Sequence, residues 1–257
     1  MSWGEVKKIT EKIDNMETYS TSIYVNSGTF TVPADGRYRI IAIGAGGTGG
    51  SASYSYGNSR GGAGGGGGGG GVGVLIMSLS KGQSVTITVD GNASFGSYVT
   101  ATKGNNGKAG TDAGSGVNGA GGEGGSASGD GVTVYKGTNG VAGKTDSSWP
   151  STYYIGGAGG SVAYSPVVTF GSQPASIKGG AGGNGIYGAD GDSGKRGAGA
   201  TTDLSSISEH LHIYYGRGGG SYGGGGGGGG TYKSSDSVST IGGTGGAAAV
   251  IIQYLGF

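Results

Sequence analysis

The chain has 257 residues, of which 70 are glycine, four are proline and none is cysteine. Its formal net charge of +1 gives no field that would attract nucleic acid or a membrane surface, and the lack of cysteine excludes disulfides. Chains this rich in glycine are commonly disordered, so the positions of the glycines along the chain decide the interpretation.

The first 17 residues differ from the rest because they are charged and nearly free of glycine. An apolar stripe with the a/d spacing of two heptads runs through Val6, Ile9, Ile13 and Met16. It predicts a short α-helix that oligomerises, docks onto a partner or packs on the chain's own surface. Two heptads are too short for a stable coiled coil in water, so other contacts would have to help. We therefore predict a helix at 1–17 and one glycine-rich domain at 18–257.

Short β-strands are predicted between the glycine tracts, at Thr29–Val32, Arg37–Ile43, Gly73–Ser80, Ser84–Val89, Val132–Tyr135 and Ala248–Tyr254. The first two flank Pro33-Ala34-Asp35-Gly36, whose turn chemistry predicts a hairpin. Four to six such strands are enough for one sheet or a small sandwich.

Glycine recurs at every third position in two long tracts. One runs from Gly104 to Gly125 with Ala113 as its one substitution, and the other runs from Gly179 to Gly197 without interruption. A flexible linker has no reason to keep such a phase. Three residues per turn is the period of the polyglycine II helix, whose backbone groups must bond to neighbouring strands. A collagen triple helix is disfavoured because it needs proline, which these tracts lack.

Two uninterrupted runs of eight glycines lie at 64–71 and 223–230. In a lateral array of polyglycine II helices, an outer helix needs one bare glycine row, whereas a surrounded helix needs glycine on every row. The runs are therefore predicted to be buried helices about 25 Å long, and the triplet tracts to be outer helices. The predicted structural rows include Gly67 and Gly226 in the runs, and Gly179, Gly182, Gly185, Gly188 and Gly191 in the second triplet tract.

The predicted fold class is mostly β and non-α. A small β-sheet base would carry long glycine-rich excursions that form a polyglycine II helix sandwich, together with the short N-terminal α-helix. Ordered excursions are favoured because structureless loops of this length are uncommon inside a compact domain.

Motifs that would carry catalysis or bind a cofactor or metal are weak. Gly143-Lys144-Thr145 resembles the end of a phosphate-binding loop, but the glycine required five positions earlier is Thr138. His210 and His212 have no further ligand beyond Glu209, and the Asp190 and Asp192 pair lacks the spacing of a calcium loop. We predict a protein that is not an enzyme and that has no cofactor and no metal site.

Four aperiodic segments are rich in Tyr, Ser and Thr and are predicted to be loops, at 51–60, 145–154, 201–215 and 231–240. This mixture is typical of binding surfaces, because tyrosine and tryptophan offer large rigid contact areas and serine adapts. The alternative is that the aromatic side chains cover the glycine array. The candidate binding residues are Tyr54, Tyr56, Trp149, Tyr153, Tyr154, Tyr214, Tyr215, Tyr222 and Tyr232.

The succession GTFTVPADGRYRIIAIGAGGTGG, a glycine tract, GVGVLIMSLSKGQSVTITVDGN and a terminal GGTGGAAAVIIQY resembles the glycine-rich domain of bacteriophage tail-fibre and receptor-binding proteins. The glycine tracts with intervening variable segments are also similar to the polyglycine II sandwich adhesin at the tip of T-even-like long tail fibres, although the N-terminus departs from it. The opening MSWGEVKKI looks like the start of tail-associated proteins from phages of Gram-positive bacteria.

The resemblance implies a virion tail component that is made in the host cytoplasm without a signal peptide and that binds a glycan or protein on the host-cell surface. It also implies contacts with other tail or fibre proteins and a homotrimer, with no nucleic-acid binding and no membrane insertion. Two alternatives stay open: a purely structural tail or fibre protein, and an ice-binding protein like the polyglycine II antifreeze proteins.

Overall fold

The computed structural model describes residues 21–55, 57, 60–112, 116–146, 153–164, 222–232 and 238–256. The described part is mostly β and contains no helix. Several predictions lie outside it: the helix at 1–17 with Val6, Ile9, Ile13 and Met16, the triplet tract from Gly179 to Gly197 with its aspartates, the segment 201–215 with His210 and His212, and the residues Tyr56, Trp149, Tyr214 and Tyr215.

Two five-stranded antiparallel sheets form the base of the molecule. The first sheet has the order β1-β16-β3-β6-β11 and consists of Thr21–Tyr24, Ala249–Gly256, Gly36–Ile43, Val72–Leu79 and Thr133–Tyr135. The second sheet has the order β10-β9-β8-β7-β2 and consists of Ala127–Ser128, Val99–Ala101, Ala93–Phe95, Ser84–Val89 and Gly28–Thr31. The strands predicted from the sequence therefore supply six of these ten, with ends that differ by a few residues.

The apolar core of the base lies between the two sheets. Alternate residues of β3 face it, namely Tyr38, Ile40 and Ala42, and they pack with Ile87 and Phe95 of the second sheet. All five are essentially inaccessible to solvent. Because side chains alternate between the two faces of a strand, the buried residues of β3 all lie on the face that packs against the second sheet. We call this two-sheet base the sandwich.

The other face of the first sheet has a smaller apolar cluster. The intervening residues of β3, Ile41 and Ile43, point to this face and pack with Ile251 of β16. Val162 and Tyr222, which belong to glycine-rich parts of the chain, cover them there. The chain on either side of residues 165–221 is therefore fixed at the sandwich.

The predicted hairpin between Thr29–Val32 and Arg37–Ile43 is wrong. Strand β2 pairs with β7 in the second sheet, whereas β3 pairs with β16 and β6 in the first. The turn sequence at Pro33 instead carries the chain from one sheet to the other. Beyond β2, the N–H of Val32 donates to Gln83, and the N–H of Gly82 donates to Val32.

Eight extended tracts leave or enter the sandwich, and we label them t1 to t8. They are t1 (44–51), t2 (63–71), t3 (102–111), t4 (117–126), t5 (136–143), t6 (156–162), t7 (223–230) and t8 (241–248). Odd-numbered tracts run away from the sandwich and even-numbered tracts return to it, because each follows or precedes one of the strands or the apolar cluster described above. The tracts lie side by side and are joined by backbone hydrogen bonds of 2.7–3.0 Å, and we call them together the glycine lattice.

Tract t2 is the centre of the glycine lattice. Its successive N–H groups donate in turn to t7, t3 and t5, and its carbonyls accept from t1, t4 and t6. The first three donated bonds run from Gly64 to Gly229, from Gly65 to Lys108 and from Gly66 to Val141. Six neighbours thus surround t2 in the ring order t1, t3, t4, t5, t6, t7, while t8 lies outside this ring against t1 and t7.

The three-residue phase of the outer tracts matches this arrangement. In t3 the buried residues Gly104 and Gly110 face t2, where a Cβ on either would collide with a backbone carbonyl. The residues between them, such as Asn106 and Lys108, are exposed. In both runs of eight, 64–71 and 223–230, every glycine is buried, as the row argument predicts.

Candidate functional site

The ends of the tracts that lie away from the sandwich carry two small three-stranded sheets. Their orders are β12-β13-β14 and β15-β4-β5, formed by Lys144–Asp146, Tyr153–Ile155 and Thr231–Tyr232, and by Val238–Thr240, Ala52–Ser55 and Arg60–Gly62. We call these six strands the distal cap. The adhesin resemblance predicts its binding surface at this end of the glycine lattice.

The prediction that the Tyr/Ser/Thr-rich segments are loops is wrong for their described parts in the distal cap. Strand β4 buries Ala52 and Tyr54 and leaves Ser53 and Ser55 partly exposed, which is the alternation of a half-buried strand. The hydroxyl of Ser53 donates to the carbonyl of Gly110 at 3.1 Å. These strands are only two to four residues long, and pairing to each other stabilises them.

Tyr54 and Tyr154 form the interior of the distal cap. Their exposed fractions are 1% and 7%, and their ring centroids are 6.1 Å apart with Ala63 packed against them. Both side chains are therefore too buried to contact a partner on the surface, and we remove them from the candidate binding residues. For these two, the alternative that aromatic side chains cover the glycine array describes the arrangement better.

Burial also changes the acidity of the Tyr154 hydroxyl. Desolvation raises the pKa of the Tyr154 hydroxyl above its ordinary value of 10.0, and the neighbouring Tyr54 raises it further, while a backbone hydrogen bond with Gly61 lowers it. The hydroxyl of Tyr54 is buried and has no hydrogen-bond partner in the described part. Both phenols are enclosed within the distal cap, so their contribution is packing.

The remaining candidates fall in different places. Tyr153 and Tyr232 are opposite each other in the pairing of β13 with β14, so both belong to the distal cap by their backbone position. Tyr222 lies at the opposite end of t7, where it is half-buried against the apolar cluster of the first sheet. Its φ of 53° is in the left-handed region, as the chain turns into t7. Tyr222 is therefore remote from the distal cap.

Charged and polar side chains make up the exposed surface of the distal cap. Arg60 of β5 and Lys144 and Thr145 of β12 are exposed, and Thr145 is held by a 3.0 Å hydrogen bond from the Asn118 side-chain amide. Ile241, just after β15, is 66% exposed. The described surface thus includes two cations, the hydroxyls of Thr145 and Ser239 and an apolar contact, which suits a polar or anionic ligand. Arg60 and Thr145 lie inside the predicted Tyr/Ser/Thr-rich segments but were not among the candidate residues, because aromatic enrichment does not single them out; Lys144 and Ile241 lie just outside the segments.

A second surface feature lies on the flank of the glycine lattice. An open groove of about 510 Å³ runs between t3 and t4, and Lys103, Asn105, Lys108 and Glu123 are among its lining residues. These side chains are exposed members of the outward rows. The mixed charges of the groove balance one another in part, so it provides a matched surface against which the distal cap can be compared.

Among the described residues, no three His, Cys, Asp or Glu side chains come together in a way that could hold a metal ion. No helix in that part of the chain is long and apolar enough to span a membrane. No protein-family model and no curated protein matches the chain. The function must therefore be inferred from the geometry of the sandwich, the glycine lattice and the distal cap.

Proposed function

We propose that this chain is a receptor-binding protein of a bacteriophage or prophage tail. In this proposal the eight tracts of the glycine lattice are polyglycine II helices that form a helix sandwich of their own, separate from the β-strand base. The distal cap is presented to the host-cell surface. The three-residue alternation of donors along t2 supports the helix assignment, because three residues per turn with all backbone bonds made laterally is what polyglycine II requires. No catalytic step is involved.

The observation that carries the functional proposal is that the glycine lattice separates the sandwich at one end from the distal cap at the other. All described tracts join the sandwich to the opposite end, and the side-chain-rich segments 52–62, 144–155 and 231–240 return the chain there. Sequence changes in these segments leave the glycine rows untouched, so the glycine lattice can act as a constant support for a variable surface. A stiff support also lowers the ordering entropy that a ligand would otherwise have to offset.

The partner we propose is a glycan or protein with anionic or polar groups on a bacterial surface, because Arg60 and Lys144 are the exposed cations of the described cap. The segment 1–17 would connect the chain to other tail proteins or to two further copies. A purely structural tail protein is the alternative, since the same support could join modules without touching the host.

The test compares two charge reversals of equal size in the purified protein. R60E with K144E alters the distal cap, whereas K103E with K108E alters the flank of the glycine lattice. Labelled protein is titrated onto intact cells of a panel of bacterial strains. We expect the cap variant to lose at least about tenfold in affinity for any strain bound, as for loss of charge-assisted contacts, and the flank variant less than about twofold.

Binding to no strain, or equal losses for the two variants, would favour the structural alternative. Thermal stability of both variants is measured first, because a loss of folding would imitate a loss of contact. Ice shaping by the wild-type protein in a thermal-hysteresis assay would instead favour the antifreeze-like alternative.

A further inference from the structure

Asparagine precedes glycine at three places on the described outer tracts, and such pairs are chemically unstable in a flexible chain. The pairs are Asn106-Gly107 in t3, Asn118-Gly119 in t4 and Asn139-Gly140 in t5. In a pair of this kind the backbone nitrogen of glycine can attack the side-chain amide carbon of asparagine. Glycine makes the attack easiest, because it has no Cβ to shield its nitrogen and its backbone turns freely.

The reaction, deamidation, consumes water and releases ammonia. The glycine nitrogen loses its proton and forms a bond to Cγ of asparagine, the bond from Cγ to the side-chain nitrogen breaks, and that nitrogen leaves as ammonia. Water then opens the five-membered succinimide at either carbonyl, which gives aspartate or isoaspartate. Isoaspartate adds one methylene group to the backbone, so the residues beyond it lose their phase in the glycine lattice.

In the glycine lattice the attacking nitrogen of each pair is already bonded to a neighbouring tract. The N–H of Gly107 donates to the carbonyl of Thr48 in t1, that of Gly119 to Ala63 in t2, and that of Gly140 to Gly122 in t4, each at 2.8 Å. A nitrogen held in this way keeps its proton. It cannot approach Cγ until its tract separates from the neighbour.

The asparagine side chains are held by backbone N–H groups of the same neighbouring tracts. Oδ1 of Asn106 accepts from Thr48 at 3.1 Å, that of Asn118 from Ala63 at 3.0 Å, and that of Asn139 from Gly124 at 2.9 Å. We call each Asn-Gly pair with these two bonds a clamp. Asn106 and Asn139 are nevertheless exposed, so burial does not keep water from them and the bonds of the clamp must provide the protection.

We propose that Asn106, Asn118 and Asn139 are deamidation sites that the clamps hold closed. Modification then proceeds only when a tract separates locally from the glycine lattice, and the frequency of that opening sets its rate. A tract that acquires isoaspartate while it is open no longer matches its neighbours, because the added methylene group shifts every later glycine. The sites thus convert a reversible local opening into a permanent one.

The test measures deamidation of the full-length protein in the folded and the unfolded state. Samples are incubated in mildly alkaline buffer with and without guanidinium chloride, and peptide mass spectrometry quantifies aspartate and isoaspartate at each site. We expect deamidation at all three asparagines to be at least about 30-fold slower in the folded protein, because only the opened fraction reacts. Equal rates in the two states would overturn the proposal.

A pair of variants at Thr48 tests the clamp itself. T48P removes the N–H that Asn106 accepts, and proline suits an extended tract, whereas T48A keeps that N–H. In the folded state we expect T48P to deamidate at least about threefold faster at Asn106, with Asn118 and Asn139 within about twofold of the wild type. T48A should match the wild type at all three sites.

Equal rates at Asn106 in T48P and T48A would mean that the clamp does not restrain the side chain and would also overturn the proposal. Circular dichroism first establishes that both variants fold. If T48P does not fold, the comparison of folded and unfolded wild type still decides the outcome. None of these measurements depends on receptor binding, so failure here and failure of the proposed function are separate results.

Discussion

At the scale of single residues, a lattice glycine is defined by what a methyl group would meet in its place. A Cβ on Gly67 would collide with the carbonyl of Gly47, which belongs to a neighbouring backbone that is itself bonded on other sides. A Cβ on Gly28 of β2 would meet no atom within 4 Å. The two positions thus separate the cost of steric overlap from the general effect of replacing glycine.

We expect G67A to lose about 3 kcal/mol or more of unfolding free energy, at the upper end of what overpacking costs, or to prevent folding. The matched variant G28A should be neutral or gain up to about 1 kcal/mol, because alanine reduces the entropy of the unfolded chain. Urea unfolding followed by circular dichroism gives both values. Equal midpoints for the two variants would mean that t2 tolerates side chains and is not enclosed.

The aromatic residues show the limit of prediction at this scale. Tyrosine in a Ser/Thr-rich segment has the same composition whether it faces a ligand or the interior, and composition led to the assignment of Tyr54 and Tyr154 as contact residues. What buries them is pairing between strands far apart in the chain, such as β4 with β15 and β13 with β14. The alternation Ala52, Ser53, Tyr54, Ser55 was the available signal, but it is too short to separate from chance.

At the scale of elements, the phase of a tract matters more than its composition. In t4 the buried Gly122 faces t3, where a Cβ would collide with the carbonyl of Asn105, and the adjacent Glu123 is exposed. Exchanging these two residues keeps the composition of the chain and places a carboxylate between packed backbones. Exchanging Ala120 with Glu123 keeps the charge on exposed positions.

The double variant G122E/E123G should therefore fail to fold or lose at least about 10 °C in Tm, since it combines overlap with burial of an unpaired charge. The control A120E/E123A should remain within about 2 °C of the wild type. Differential scanning calorimetry of the wild type and the two double variants measures the three Tm values. Comparable Tm values throughout would contradict a fixed orientation of t4 in the glycine lattice.

The elements differ in how much their sequences reveal. Long triplet runs such as 104–110 predicted which glycines of t3 face t2, because a run of several repeats makes the phase visible. Tracts t1 and t8 have too few repeats for their phase to be visible in the sequence. The hairpin prediction at Pro33 failed for another reason: turn chemistry is local, but the partner of β3 is β16, more than 200 residues away, and the pattern of a single strand does not name its partner.

At the scale of the whole molecule, two kinds of interior coexist. The sandwich buries apolar side chains such as Ile40, Ile87 and Phe95, whereas the glycine lattice buries peptide groups that are bonded to one another. Unfolding the sandwich exposes apolar surface, which raises the heat capacity, and unfolding the glycine lattice exposes mainly polar backbone, which lowers it. The sandwich and the glycine lattice therefore contribute with opposite sign to the heat-capacity change of unfolding.

We expect the heat-capacity change of unfolding to fall below about 10 cal/mol/K per residue, against roughly 12–15 for ordinary globular proteins. Calorimetry over a range of pH values measures it, with an ordinary β-sandwich protein of similar length as the reference. A small change flattens the dependence of stability on temperature, so the protein should also resist cold denaturation better than the reference. A value in the ordinary range would mean that apolar burial, rather than bonding between backbones, accounts for most of the buried surface.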